Sequence, residues 1–218
     1  MAAWPGSLSY VNSVDDILHI PRPRLLEMAK RIGDRVASVA LGVLLAPIML
    51  VCVIIIRLSS PGKALIVQDR LGLNGKIFKM YKLRTMTHDA EAGTGAVLAA
   101  ENDRRVIPAC RWMRRSHLDE IPQLLNVLRG EMSLVGPRPE RREIAEAIYA
   151  HLPEFRHRLQ VRPGITGLAQ VRNGYDTCMD AVKRKLHYDL EYIRRRSWWL
   201  EVAILAATLT KLYDASAR

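Results

Sequence analysis

Residues 36–56, VASVALGVLLAPIMLVCVIII, carry no charge, and this run narrows most what the chain can fold into. As one straight helix it reaches about 31 Å, enough to cross the hydrocarbon core of a bilayer. It lies too far in and runs too long for a secretory signal, and it lacks a small-residue cleavage site. Both flanks are basic. Arg22, Arg24, Lys30, Arg31 and Arg35 precede the run, and Arg57, Lys63, Arg70, Lys76, Lys79, Lys82 and Arg84 follow it. Lys and Arg favour the cytoplasmic side, so a straight crossing strands one cluster on the wrong side. Pro47 lies near the middle, where it removes a helix hydrogen bond. The expectation is therefore a re-entrant hairpin, broken at Ala46-Pro47 and returning to the face it entered. The alternative is a kinked transmembrane helix with weak charge bias.

A second membrane candidate closes the chain. Residues 198–213, WWLEVAILAATLTKLY, follow the basic run 194–196. Tryptophans beside arginines suit a helix lying in the interface, and a helix packed on the domain fits equally. The formal net charge of +11 favours an anionic partner. Aromatic residues make up only 6%, too few for a single-strand stacking platform, and no recognition motif points to nucleic acid. Cys52, Cys110 and Cys178 are far apart and form no CxxC pair. That argues against zinc or a disulfide framework and for three inert buried thiols in a reducing compartment.

The rest reads as one α+β, mostly helical domain. Residues 1–27 form an arm, 28–218 the domain, and 62–197 its cytoplasmic part. Residues 64–68 and 76–83 read as short strands around Leu73-Asn74-Gly75. Residues 88–103 read as a loop. Ile121, Leu124, Leu125 and Leu128 recur at helical spacing, and Gly130 ends that helix. The GPRP run at 136–139 and RPGITG at 162–167 read as rigid loops, and 178–196 as a charged helix.

Asp119 and Glu120 stand side by side at the start of a helix, with Pro122 in its first turn and Arg114 and Arg115 upstream. A helix start and nearby cations should keep both acids ionised. An ionised Asp can attack phosphorus, a neighbouring Glu can hold Mg²⁺, and arginine forks can neutralise a diphosphate. The bland alternative is an N-cap followed by a first-turn acid.

The order of motifs extends this reading: a basic-flanked apolar run, FKMYKLRTM, SHLDEIPQLLNVLRGEMSLVGPRP, then RPGITGLAQV. Over residues 28–213 the chain resembles the monotopic phosphoglycosyl transferases, in a minimal catalytic form. These are the bacterial enzymes that initiate exopolysaccharide, O-antigen or glycoprotein glycan assembly. The resemblance implies transfer of a phosphosugar from a UDP-sugar to polyprenyl (undecaprenyl) phosphate, with release of UMP, at the cytoplasmic face of the inner membrane. It implies Asp119 as a nucleophile forming a covalent phosphosugar intermediate, and Glu120 in contact with Mg²⁺. It implies phosphate binding by Arg114, and places Lys82, Arg84 and Arg138 near the nucleotide sugar. The partners it implies are the UDP-sugar, the polyprenyl phosphate and the bilayer, with a homodimer left open.

Three departures stand out. The usual Ser-Pro membrane break is Ala46-Pro47, His117 replaces a usual Ser, and AQVRNGYD at 169–176 replaces AQVNGRN, so Arg172 need not take over the arginine there. His117 also reads as a surface or capping histidine. A non-catalytic membrane scaffold of a glycan assembly complex is the competing function. The identity of the sugar is not encoded in any motif here.

Overall fold

The computed structural model describes residues 24–87, 105–173 and 178–216. The first element, α1 (Arg24–Ser59), is a single helix of 36 residues, about 54 Å long. Glu27 in its first turn and Arg57 in its last complement the helix dipole. Pro47 lies inside it. The expected break at Ala46-Pro47 therefore does not interrupt the helix. Proline removes one donor, whereas unwinding a turn among apolar neighbours would strand several backbone groups without water. Ser38, Cys52 and Ile56 are buried, and Gly42, Leu45 and Met49 are partly buried. This 3.5-residue stripe keeps one side of the helix turned inward across Pro47. Val43, Leu44, Leu50 and Val51 on other sides are exposed. By length and composition α1 is apolar enough to cross a membrane.

Both ends of α1 dock on the domain. Near its start, Lys30 pairs with Glu201 at 2.5 Å, and Asp34 accepts a hydrogen bond from Ser133 Oγ at 2.6 Å. Near its end, Cys52 and Ile56 enter a buried cluster with Ala64, Leu83, Ile107, Cys110 and Met113. Arg84 donates to the carbonyls of Ser60 and Pro61, at 2.8 and 2.7 Å, and pins the chain as it leaves the helix.

The two short strands expected around Leu73-Asn74-Gly75 are present and form a β-hairpin. Strands β1 (Leu65–Leu71) and β2 (Ile77–Leu83) pair antiparallel, with Ile66 opposite Lys82. Asn74 and Gly75 adopt φ of 55° and 75°, the left-handed region these residue types tolerate in turns. Alternation turns Phe78 and Met80 to the core and sends Lys82 to the same side. Next come α2 (Arg111–Arg115), a 3₁₀ turn Leu118–Gln123, and α3 (Leu124–Leu128).

The apolar face expected over 121–128 is rotated. Leu125 is exposed, while Gln123, Leu124, Asn126 and Val127 are buried. A 3₁₀ turn carries 3.0 residues per turn, so it shifts the phase of the helix behind it. Asn126 is enclosed because it bridges elements. It donates to the Lys79 carbonyl at 2.7 Å and accepts from the Tyr81 amide at 3.1 Å, fixing β2 against α3.

The two proline-glycine runs meet. Strands β3 (Ser133–Val135) and β4 (Gly164–Thr166) pair in parallel, and the contact continues through Gly136 N–Thr166 O at 2.8 Å and Gly164 N–Pro137 O at 2.9 Å. A Cβ on Gly136 would stand 2.5 Å from the Arg162 carbonyl, so no side chain fits there. Behind them lie α4 (Arg142–Tyr149), α5 (Leu168–Arg172), α6 (Met179–Arg195) and α7 (Trp198–Ser216). The main core collects Phe78, Met80, Val127, Met132, Val135, Phe155, Leu186, Leu190, Tyr192 and Ile204. Each such side chain contributes about 1.5–3 kcal/mol when taken from water.

The described residues thus form the expected mostly helical α+β structure, with two small sheets and one long apolar helix among them. Residues 178–196 are the expected charged helix. In α7, Glu201 and Ile204 pack inward while Trp198, Trp199, Val202 and Leu209 are exposed. Cys52 and Cys110 are buried free thiols as expected, but Cys178 is exposed, because it stands just before α6 rather than in its packed face. Of the expected arm 1–27, residues 24–27 already belong to α1 and the rest lies outside the described residues, as does the expected loop 88–103.

Candidate active site

His117 adopts the left-handed conformation, with φ of 56°, and so turns the chain from α2 into the 3₁₀ turn. Its carbonyl accepts the Glu120 amide at 3.0 Å. His117, not Asp119, therefore occupies the cap position, and its side chain makes no capping bond. The turn points Asp119 and Glu120 inward, and both are buried.

Two cations from distant parts of the chain meet them. Lys82 Nζ lies 2.8 Å from Asp119 Oδ2 and 3.4 Å from Glu120 Oε1. Arg138 grips Glu120 with both ends of its fork, Nη1 to Oε2 at 3.0 Å and Nη2 to Oε1 at 2.5 Å. Bidentate pairing of this kind fixes geometry as well as charge. The two acids, both expected to be ionised, are shifted in opposite directions. Burial raises the Asp119 carboxyl above the ordinary aspartate range, against the pull of Lys82. Burial opposes ionisation of Glu120 too, but Arg138 and Lys82 override it and hold that carboxyl well below the usual value.

Arg138 is aimed by its loop. Arg158, itself buried, donates Nη2 to the Arg138 carbonyl at 2.7 Å and Nε to Asp189 Oδ2 at 2.9 Å. Arg70 donates to the Pro139 carbonyl at 3.1 Å, and the Leu71 amide to the Glu140 carbonyl at 3.0 Å. Lys185 pairs with Glu140, and Arg158 reaches the same carboxylate at 3.4 Å. The motif itself signals none of Arg158, Lys185 and Asp189. A trace of signal exists on α6, where Lys185 and Asp189 interrupt the apolar stripe Val182, Leu186, Leu190 and Ile193 at i, i+4 spacing. Charges inside such a stripe must be paired.

Burial would raise Glu140, yet Lys185 and Arg158 bring it down to about 2. Its ionised form stabilises the fold above the unfolded value near 4.5, and that gain is lost as pH falls toward about 2. Asp189 moves the other way, raised by burial against Arg158. Glu140→Gln should therefore flatten the fall in urea midpoint between pH 4.5 and 2. An unchanged slope would show that Glu140 is not held as described.

Lys82, Asp119, Glu120 and Arg138 thus converge. Arg84 and Arg114 do not join them. Arg84 is turned to the end of α1, and Arg114, half-buried in α2, pairs with neither acid. Arg172 lies apart, 3.5 Å from Glu191. Among the described residues no group of three or more His, Cys, Asp or Glu side chains is placed to hold a metal. Both Glu120 oxygens are engaged by Arg138 and one also by Lys82, so a Mg²⁺ held by this carboxylate pair would share them with those cations and take its other ligands from water and substrate phosphates.

An α+β domain docked along an apolar helix thus holds a buried carboxylate pair between two cations, Lys82 and Arg138, an arrangement suited to group transfer at phosphate. More particularly, the chain belongs to the bacterial sugar transferase family, whose model matches residues 25–215. It is 43% identical over 195 residues to a UDP-glucose:undecaprenyl-phosphate glucose-1-phosphate transferase of Caulobacter vibrioides, covering 88% of this chain and 73% of that protein. It is 38% identical to a UDP-N-acetylgalactosamine-undecaprenyl-phosphate N-acetylgalactosaminephosphotransferase of Aeromonas hydrophila, over 87% of this chain and 44% of that one. It is 37% identical to the exopolysaccharide production protein PSS of Rhizobium leguminosarum, over 83% and 92%. The chain therefore spans less than half of some relatives and most of others.

Proposed function

We propose that the protein transfers a phosphosugar from a UDP-sugar to polyprenyl phosphate at the cytoplasmic face of the bacterial inner membrane. The observation that carries this reading is the buried Asp119, set between Lys82 and an Arg138-clamped Glu120. A carboxylate oxygen of Asp119 attacks the phosphorus that bears the sugar. The aspartyl O–P bond forms, the bond from that phosphorus to the UMP oxygen breaks, and UMP leaves with the electron pair. A phosphate oxygen of the lipid then attacks the same phosphorus. The aspartyl O–P bond breaks and the carboxylate returns. Both nucleophiles are anions, so neither step requires a proton to be removed.

Burial supports this role by raising the basicity of Asp119, while Lys82 keeps it ionised. Glu120 is the residue to hold Mg²⁺, which when bound neutralises diphosphate charge. Arg114 stands one turn upstream for phosphate, and Arg84 serves the anchor. UMP release from purified protein with Mg²⁺, undecaprenyl phosphate and a panel of UDP-sugars is the test. Release with one donor is expected, and silence across the panel from folded protein would overturn the assignment.

The docking of both ends of α1 on one domain supports an anchor whose ends lie on one side of the bilayer, with the exposed middle entering the membrane without crossing it. In a Cys178→Ser background, Met28→Cys and Ser59→Cys test this, since both positions are exposed. Both should react with a membrane-impermeant maleimide only after cells are lysed. Labelling of one end in intact spheroplasts would mean a true span.

A further inference from the structure

We propose that Gln123 binds the donor by hydrogen-bonding a hydroxyl of its sugar, an assignment that rests on the transfer reaction above. Gln123 is 1% exposed, and neither its Nε2 nor its Oε1 has a hydrogen-bond partner. Exchanging the two amide ends cannot cure this, because both are orphaned. A buried amide left wholly unpaired is rare and costly in a folded protein, so such a group signals a missing partner.

Its position says what that partner is. Gln123 lies in the same 3₁₀ turn as the carboxylate pair. Side chains three apart eclipse in a 3₁₀ helix, so Gln123 stands over the Glu120 face, about 6 Å along the axis. Glu120 adjoins Asp119, so a donor whose phosphorus meets Asp119 would bring its sugar to this face of the turn. The base lies beyond the second phosphate and the ribose, too far away. The phosphate charges already face Lys82 and Arg138, and a neutral amide adds little to them. An amide presents one donor and one acceptor side, and a hydroxyl is both donor and acceptor. Asp119 is also 1% exposed, so burial by itself does not bar this turn from the substrate.

The test is Gln123→Met, close in length and flexible enough to fill the same space without hydrogen bonding. Three quantities are read: the thermal midpoint without ligand, kcat/KM for the UDP-sugar that the wild type uses, and inhibition by UDP. The midpoint should hold or rise, because an unpaired buried amide has been removed. The value of kcat/KM should fall by about 10- to 100-fold, and the UDP inhibition constant should stay within about twofold. A lower midpoint with unchanged kcat/KM would make Gln123 a structural residue and overturn the assignment. Equal losses for UDP and UDP-sugar would move its contact to the nucleotide and overturn the sugar hydroxyl. A wild type inactive with every donor would instead defeat the transfer reaction itself, so the two failures are distinguishable.

Discussion

Asp119→Asn should abolish UMP release, by about 10⁴-fold or more, while leaving the protein as stable as the wild type or slightly more so. The two halves of that result have separate causes. Asparagine keeps the shape of aspartate but has no anionic oxygen to form the bond to phosphorus. Stability holds because burial already disfavours the Asp119 charge, as its raised carboxyl shows. Removing a desolvated charge offsets the loss of the Lys82 contact, and Lys82 keeps Glu120 as a second partner at 3.4 Å. In the wild type, activity should fall on the acid side at a pH above the ordinary aspartate range, because the nucleophile must be ionised. A pH profile of single-turnover UMP release checks this. Release unaffected by Asp119→Asn would sink the covalent route.

Arg138→Gln should do the opposite and destabilise the fold as well as slow the reaction. Glu120 is buried and its charge depends first on Arg138. Removing one partner of such a pair leaves an uncompensated carboxylate, at a cost of about 3–5 kcal/mol in a dry interior. The Arg138 side chain is 33% exposed, so solvent screening reduces this to about 2–3 kcal/mol. The pH dependence has a fixed sign. Arg138 depresses the Glu120 carboxyl, so its contribution is present above about pH 4.5 and lost as pH falls below it. The gap in midpoint between wild type and Arg138→Gln should be widest near neutrality and close in acid. Glu120→Gln combined with Arg138→Gln should recover much of the loss, since no buried charge remains. A gap constant across pH would refute the pairing as the cause. Arg138→Lys is expected to rescue little, because an ammonium cannot grip both carboxylate oxygens.

Part of the candidate site was readable along the chain. The LDE run, the inward-facing Lys82 of an alternating strand and the GPRP loop are local patterns, and they meet in space as their residue types suggest. The rotated face of α3 was not readable, because a 3₁₀ turn and an α-turn share the same apolar spacing over so short a stretch. Nor was the divergence of Arg84 and Arg114 from Lys82 and Arg138. All four are basic residues inside motifs, and only packing shows that Arg84 serves carbonyls at the end of α1. The orphaned amide of Gln123 could not be seen either, since an unpaired side chain is defined by what surrounds it.

The sequence by itself determined the apolar anchor, the hairpin at Asn74-Gly75, the two proline-glycine runs and the acidic pair, because each rests on covalent geometry or on hydrophobic periodicity within a few residues. Only the tertiary structure decided that α1 runs unbroken through Pro47 and docks at both ends, and that Arg158, Lys185 and Asp189, far along the chain, act with Glu140 to aim Arg138. It also split one pair of neighbouring acids into a raised Asp119 and a depressed Glu120. Charge states and loop positions of this kind depend on burial and on partners brought from far along the chain, and no local pattern carries either.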